Sequence, residues 1–158
     1  MKQVRITKAG APEVLQTVET PDPSAGPGQV RIAVEASGVN FADIMARLGI
    51  YPDAPPIPCV VGYEVAGTID QVGEGVEGLE VGAEVMALTR FGGFSELVCV
   101  PSEQCFIRPS GMSAEEGAAI PVNYLTAYQL MIAMGSLKAG ERVLVHSAGG
   151  GVGIAAIQ

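Results

Sequence analysis

A glycine-rich turn near the carboxyl end of the sequence has the composition of a phosphate-binding loop. An apolar run, Val143–Val145, is followed after two residues by Ala148–Gly153, which contains four glycines. Glycines let the backbone approach a pyrophosphate, and the helix that follows directs its N-terminal amides at the anion. In the pattern A-x-G-x-x-G, Ala148 replaces the first fingerprint glycine, and Gly150 and Gly153 supply the other two. Such turns also end ordinary parallel strands, so the pattern alone leaves both interpretations open.

The segments before the glycine turn predict a β-rich domain. This domain would have to hold the turn in place. Short runs of β-forming residues alternate with Gly, Pro and acidic turns, which is typical of a compact, mostly antiparallel barrel or sandwich. The predicted strands are Val4–Lys8, Val14–Thr20, Gln29–Ala36, Val65–Val72, Glu84–Thr89 and Phe94–Val100.

Two helical regions and one further strand are predicted. Residues Asn40–Leu48 carry apolar side chains on one helical face, and Gly49 stands just past the end. A second helical region begins at Ser113 with a capping box that Glu116 completes. Over Arg142–Val145 we predict a strand of a parallel sheet covered on both faces. The joint between two domains is therefore expected near residues 120–135.

Length and composition indicate a fragment. The chain has 158 residues, and a dinucleotide fold needs repeated βαβ units of about 30 residues, which cannot fit after Gly140. Charged residues make up 16% of the chain, whereas a soluble domain usually has about 25%. We therefore expect part of this surface to lie against further protein.

Charge and cysteine content exclude several classes of function. The net charge is −8, and the nine basic residues form no cluster that could follow a phosphate backbone, so nucleic acid is not expected as a partner. The three cysteines lack CxxC spacing, and Met1–Gly10 lacks the apolar core of a signal peptide, which favours the reduced cytoplasm.

Gly117–Leu137 holds no charge over 21 positions, but polar residues interrupt it, so we expect a core or domain-joint helix and not a membrane span.

A long motif in the middle of the chain resembles a family signature. Residues Gly62–Val76 resemble the pattern G-x-E-x-x-G-x-V-x-x-V-G-x-x-V of the medium-chain dehydrogenase/reductase superfamily. Segments Gly38–Asp43, Arg47–Pro52 and Leu125–Tyr128, followed by the glycine turn, are similar to its quinone oxidoreductase branch. Within that branch the chain most resembles the vesicle amine transport protein-like members. One departure is Ala83, where many relatives have Asp.

The resemblance implies a two-domain architecture. The expected fold class is a mostly β GroES-like barrel domain with short helices, plus the start of an α/β Rossmann domain, namely one strand and a partial helix. Residues 1–122 would form the GroES-like substrate domain. Residues 123–158 would form the joint helix and the incomplete beginning of the NADP-binding domain. The active site would lie in the cleft between the domains.

The positions that hold catalytic zinc in related alcohol dehydrogenases carry other residue types here. Zinc needs thiolate, imidazole or carboxylate ligands. The matching segments contain Asn40, Tyr63 and a residue near Asn123, and the structural zinc lobe is missing because Arg90–Phe94 leads directly into the next strand. We therefore expect no zinc. The isolated His146 is interpreted as a hydrogen-bonded residue at a strand end, and the cysteines as small buried hydrophobic side chains.

The resemblance further implies NADPH-dependent hydride transfer to a quinone or an α,β-unsaturated carbonyl. Asn40 would hydrogen-bond cofactor or substrate, Thr126 would contact the nicotinamide carboxamide or ribose, and Tyr51 would donate to the developing oxyanion. The predicted turn ligands of the cofactor are Ala148, Gly149, Gly150, Gly151, Val152 and Gly153. Alternatively, Asn40 only caps its helix, and Tyr51 only packs on the barrel.

Two expectations concern the protein as a whole. NADPH, in preference to NADH, follows from the resemblance alone, because the discriminating residue would lie beyond Gln158. The same resemblance implies a homodimer that acts on a small molecule. A different class of function also stays open, namely a non-enzymatic, vesicle-associated or structural binding module that keeps the reductase fold.

Overall fold

The computed structural model describes residues 1–158, which form seven strands and four α-helices. The strands are β1 (Lys2–Ile6), β2 (Leu15–Glu19), β3 (Gln29–Ser37), β4 (Glu64–Val72), β5 (Glu84–Leu88), β6 (Leu97–Pro101) and β7 (Cys105–Ile107). The helices are α1 (Phe41–Arg47), α2 (Ala114–Ala118), α3 (Pro121–Tyr128) and α4 (Gly151–Ile157), and a π-helical segment, Gln129–Met134, continues α3. Single 3₁₀ turns cover Pro12–Val14 and Ser102–Gln104.

The strands form two antiparallel sheets. The larger one has the order β6-β3-β4-β5-β7, and β1 and β2 form a separate pair. Isolated bridges between Gln3 and Ser95 and between Ile6 and Cys59 join the small pair to the rest. The prediction of a mostly antiparallel β domain is therefore confirmed, with strand ends that differ by at most three residues. Strand β7 was not predicted.

Alternating apolar side chains of the large sheet form the main core. Val30, Ile32, Val65, Ile69 and Val85 are completely inaccessible to solvent. Each such side chain contributes about 1.5–3 kcal/mol by leaving water. A smaller second core joins the β1 strand to α1, so the helix that Asn40 precedes is held on the sheet domain. Its members are Ile6, Val14, Ala46, Cys59 and Val61.

A bulge in β3 brings two backbones unusually close. The register between β3 and β4 shifts between Val34 and Ala36, directly opposite Gly67. A Cβ atom at Gly67 would collide with the carbonyl oxygen of Ala33. Only glycine therefore allows the two strands to pair closely beside the bulge.

The predicted N-terminal ends of the first two helices are confirmed. Helix α1 begins directly after Asn40. Helix α2 has the predicted capping box, because the Ser113 hydroxyl accepts a hydrogen bond from the Glu116 amide at 3.2 Å and the Glu116 carboxylate accepts one from the Ser113 amide at 2.9 Å. The charge-free stretch forms the end of α2, then α3 and its π-helical continuation. Many of its side chains are exposed here, such as Tyr128 and Met134.

The predicted strand Arg142–Val145 does not form. A parallel strand needs neighbours to pair with its amides and carbonyls, and none of the described residues lies beside this segment in a ladder. Val143 and Leu144 remain in solvent, with Leu144 80% exposed, and Val145 is half-buried. Separately, none of the helices combines the length and apolar character needed to cross a bilayer.

Candidate functional site

An open cleft of about 860 Å³ lies between the start of α1, the α3 helix with its π-helical continuation, and the glycine turn. It brings together residues that are more than 100 positions apart in the sequence. Among the predicted site residues, those that line it are Asn40, Gly150, Gly151, Val152 and Gly153. Asn123 and His146 also line the cleft. Tyr51, Thr126, Ala148 and Gly149 do not.

The glycine turn has the tight packing that a dinucleotide loop requires. Gly150 is the N-cap of α4, so the first amides of that helix lack intrahelical acceptors. A Cβ at Gly153 would lie 2.6 Å from both Ala148 Cα and the Ser147 carbonyl oxygen. One at Gly151 would collide with the Asn123 side-chain amide. The turn and α4 therefore fit a pyrophosphate, because glycine alone permits this approach and the free amides point from a helix N-terminus.

Asn40 joins the cleft to a buried network of carboxylates. Its backbone amide donates to Asp43 Oδ2 at 2.8 Å, which closes the N-terminal turn of α1. Its side-chain Nδ2 donates to Glu64 Oε1 at 3.0 Å. Asn40 is therefore the helix cap that one interpretation expected and also a lining residue of the cleft.

Asp43 holds two backbone segments together from a buried position. It is 4% exposed, and besides the Asn40 amide it accepts from the Gly62 amide at 2.9 Å through Oδ1. Burial raises the pKa of Asp43, while the two amide donors act in the opposite direction. The carboxylate fixes the start of α1 against Gly62, two residues before β4 begins at Glu64.

Glu64 is the second buried carboxylate of the network. It is 1% exposed and accepts from the Val122 backbone amide at 2.8 Å through Oε2, as well as from Asn40. Burial raises its pKa, the two donors lower it, and the negative charge of Asp43 raises it further. Glu64 thus links β4, the cap of α1 and the first turn of α3.

These buried carboxylates produce an expected pH dependence of stability. Their pKa values are raised in the folded state above the ordinary 4.5 of Glu and 3.8 of Asp, so the folded protein binds more protons than the unfolded chain in this window. The contribution of Glu64 to the free energy of unfolding therefore falls as pH rises from about 4.5 through its folded pKa. We expect Glu64→Gln to flatten this decline, measured by urea unfolding between pH 4.5 and 7. Equal pH slopes in the two proteins would contradict this.

Tyr63, at a position where the resemblance led us to look for a zinc ligand, packs against two other aromatic rings. The ring of Tyr63 meets Tyr51 edge-on at a centroid distance of 6.3 Å and Phe91 at 5.3 Å. The Tyr63 hydroxyl is buried without a hydrogen-bond partner, and burial is the main cause of its raised pKa. Tyr51 packs against the second core and is only half-buried. A neutral phenol with a raised pKa is a poor metal ligand.

The remaining candidate residues have simpler environments. Thr126 is half-buried on α3 outside the cleft lining. Cys59 and Cys105 are buried as predicted, whereas Cys99 is half-buried, and burial raises the pKa of all three thiols, that of Cys105 to about 11. No three His, Cys, Asp or Glu side chains lie together as a metal site would require.

The interpretation of His146 as a hydrogen-bonded residue at a strand end is wrong in this structure. Its side chain is exposed at the cleft and makes no hydrogen bond to the described residues. The reason is the missing ladder at Arg142–Val145, which leaves no strand end to order the ring.

Sequence reasoning missed Asp43 and Glu64 as site residues. For Asp43 a signal existed, because an acidic side chain three residues after Asn40 has the spacing of a capping box. For Glu64 the signal was a carboxylate beside a strand of apolar residues, where an unpaired charge is costly. Its partners, at sequence distances of 24 and 58 residues, could not be identified from the sequence.

Comparison with known proteins agrees with this geometry. The family described as "Alcohol dehydrogenase GroES-like domain" matches residues 26–110. The synaptic vesicle membrane protein VAT-1 homolog of Rattus norvegicus is 49% identical over 91% of this chain and 36% of its own length. The chain therefore spans about a third of that relative.

Two solved structures share the fold over nearly the whole chain. The quinone oxidoreductase of Escherichia coli, complexed with NADPH, is 34% identical with a TM-score of 0.90, over 99% of this chain and 48% of that one. The CurK enoyl reductase is 32% identical with a TM-score of 0.92, over 99% and 49%. The signature at Gly62–Val76, the antiparallel sheet and the matched domain agree with one another. The chain therefore belongs to the medium-chain dehydrogenase/reductase superfamily, of which it carries the GroES-like domain.

Proposed function

We propose that the full-length protein is an NADPH-dependent oxidoreductase that reduces a quinone or an α,β-unsaturated carbonyl without catalytic zinc. The observation that carries this proposal is the cleft that joins Asn40 to the glycine turn. The NADPH complex of the E. coli relative and the name of the enoyl reductase support the cofactor and the acceptor class.

NADPH, when bound, would supply a hydride to the acceptor. The amides at the start of α4 would hold the pyrophosphate, with Gly153 keeping helix and turn in contact. Asn40 would hydrogen-bond the cofactor or the substrate from the opposite wall, and Thr126 would contact the carboxamide or ribose. Apolar neighbours such as Leu130 and Val143 would exclude water from the reacting groups.

The donor set supports chemistry without zinc. Two of the expected ligand positions hold Asn40, whose amide nitrogen is bound to Glu64, and Tyr63, whose buried phenol resists ionisation. Without a Lewis acid, the acceptor has to be electron-poor already, as quinones and enones are. Tyr51 would stabilise the developing oxyanion by donating a hydrogen bond or a proton.

Tyr51→Phe tests that role. We expect turnover to fall by about 10- to 100-fold, because the variant loses the donor but keeps the ring packing on the second core. NADPH affinity should change little, as measured by fluorescence titration. Tyr128→Phe, on an exposed position of α3, is the matched control. If several quinones are reduced at an unchanged rate, Tyr51 has no catalytic role.

The proposed function is tested by mixing the full-length protein with NADPH and a panel of quinones and enones, and following the absorbance of the cofactor. We expect oxidation of NADPH that depends on the acceptor, and no loss of activity after dialysis against a zinc chelator. Activity that disappears with the chelator and returns with Zn²⁺ would contradict the zinc-independent part.

A second candidate is a vesicle-associated or structural binding module without enzymatic activity. It is favoured by the 49% identity with a relative named as a synaptic vesicle membrane protein. The same assay separates the two, because NADPH binding without oxidation by any acceptor favours this module.

The proposal extends to the organisation of the protein. Residues 1–122 would be the substrate domain and residues 123–158 the joint helix and the first part of the nucleotide domain. We further propose a homodimer with a small-molecule substrate. A cytoplasmic location is part of the proposal and is supported by three cysteines that form no disulfide.

A further inference from the structure

Glu64 is a buried carboxylate without the cationic partner that buried charges usually have. It is 1% exposed, yet no cation pairs with it, and its two oxygens accept hydrogen bonds from two neutral groups instead. One donor, Val122, is a first-turn amide of α3, where a carboxylate is favoured by the helix dipole. The other donor is the side chain of Asn40, which lines the cleft. A buried charge is costly, so its retention here requires an explanation.

The chemistry of a carboxylate determines which way the Asn40 amide faces. A carboxylate only accepts hydrogen bonds, so the Asn40 side chain has to turn its nitrogen toward Glu64. The carbonyl oxygen Oδ1 then faces away from Glu64. The capping box of α1 pairs it with the backbone amide of Asp43, and its second lone pair is left as an acceptor. With a neutral acid or amide at position 64, the Asn40 amide could adopt either orientation.

We propose that Glu64 is a positioning residue that fixes the Asn40 amide with its oxygen available to the cleft, where it accepts from an N–H or O–H of the nicotinamide half of the cofactor. This inference rests on the proposed function, because the ligand is the cofactor assigned there. Through Val122 the same carboxylate sets the Asn40 amide relative to α3. The Glu64 side chain thereby holds Asn40, the N-cap of α1, in a fixed position relative to α3, which forms part of the cleft wall.

This inference is tested by exchanging the amide and the carboxylate between positions 40 and 64. Glu64→Gln keeps an oxygen for Val122 but presents its NH₂ to Asn40, which turns the Asn40 amide around. We expect NADPH to bind about tenfold more weakly or worse. Asn40→Asp alone sets two carboxylates against each other and should also weaken binding. Asn40→Asp combined with Glu64→Gln restores one donor, one acceptor and the original charge, and should bind within about threefold of wild type.

The affinities are measured by NADPH titration of the full-length protein, with circular dichroism to compare folding. Asp and Asn are about equally good N-cap residues, so α1 should still begin at the same position in the double variant. Glu77→Gln, at an exposed carboxylate in the loop between β4 and β5, is the matched control and should bind as wild type does. If Glu64→Gln binds like that control, or if the double variant binds no better than Glu64→Gln, the inference is wrong.

A measurement without cofactor separates this inference from the proposed function. In the wild-type apoprotein, the side-chain amide resonances of Asn40 should move with the carboxyl carbon of Glu64 in an acid titration followed by NMR. Asp43, which faces the Asn40 backbone amide, is assigned separately. If the chemical shifts of the Asn40 side-chain amide do not change as Glu64 titrates, the inference is wrong, even in an active enzyme. If NADPH binds but is never oxidised, the proposed reaction fails while the role of Glu64 stands.

Discussion

Gly153→Ala should weaken NADPH binding by about 100-fold or more while leaving the β domain folded. The added Cβ would lie 2.6 Å from Ala148 Cα and from the Ser147 carbonyl oxygen, and both are backbone atoms. No rotamer change can relieve the contact, so α4 has to move away from the turn. The amides at the start of α4 then no longer converge on the phosphates. Fluorescence titration with NADPH measures the loss, and circular dichroism shows whether the sheet persists.

Gly149→Ala is the comparison within the same turn. A Cβ there meets no atom within 4 Å, and Gly149 does not line the cleft. We expect NADPH affinity to stay within about threefold of wild type, since no backbone has to shift. An equal loss in both variants would mean that the turn depends on glycine flexibility and not on the packing of α4 against Ala148.

Gly67→Ala should reduce the free energy of unfolding by about 3 kcal/mol or more. Gly67 faces the bulge of β3 from the centre of the sheet, and its added methyl group would collide with the Ala33 carbonyl oxygen. The colliding atom belongs to a paired strand, so relief requires β3 and β4 to separate beside the main core. Urea unfolding followed by circular dichroism gives the change in midpoint and slope.

Gly26→Ala is the control for this stability measurement. The nearest atom to its new Cβ is the Gln29 side-chain oxygen at 3.2 Å, which belongs to a flexible side chain. We expect a change within about 1 kcal/mol. If Gly67→Ala is as stable as this control, the bulge relaxes without cost and the close approach of the strands is not a constraint on the fold.

Local patterns in the sequence were sufficient for most secondary structure of the β domain. Short runs of β-forming residues between Gly, Pro and acidic turns predicted six strands near their observed positions, because such turns interrupt the chain where a strand has to end. The capping box at Ser113 and the start of α1 after Asn40 were predicted from side chains that bond within three residues. The strand Arg142–Val145 was predicted from a continuous apolar run and is absent, since a parallel strand depends on neighbouring strands that these residues do not supply.

The sequence by itself determined the superfamily, the antiparallel domain and the glycine turn, because each depends on residue types at short spacing. Only the tertiary structure placed Asn40 and Gly150–Gly153 in one cleft and left Tyr51 and Thr126 outside its lining. It alone showed that Glu64 bonds to both Asn40 and Val122. The physical reason is that a hydrogen bond between distant segments depends on how strands and helices pack, and that packing leaves no repeating pattern in the chain.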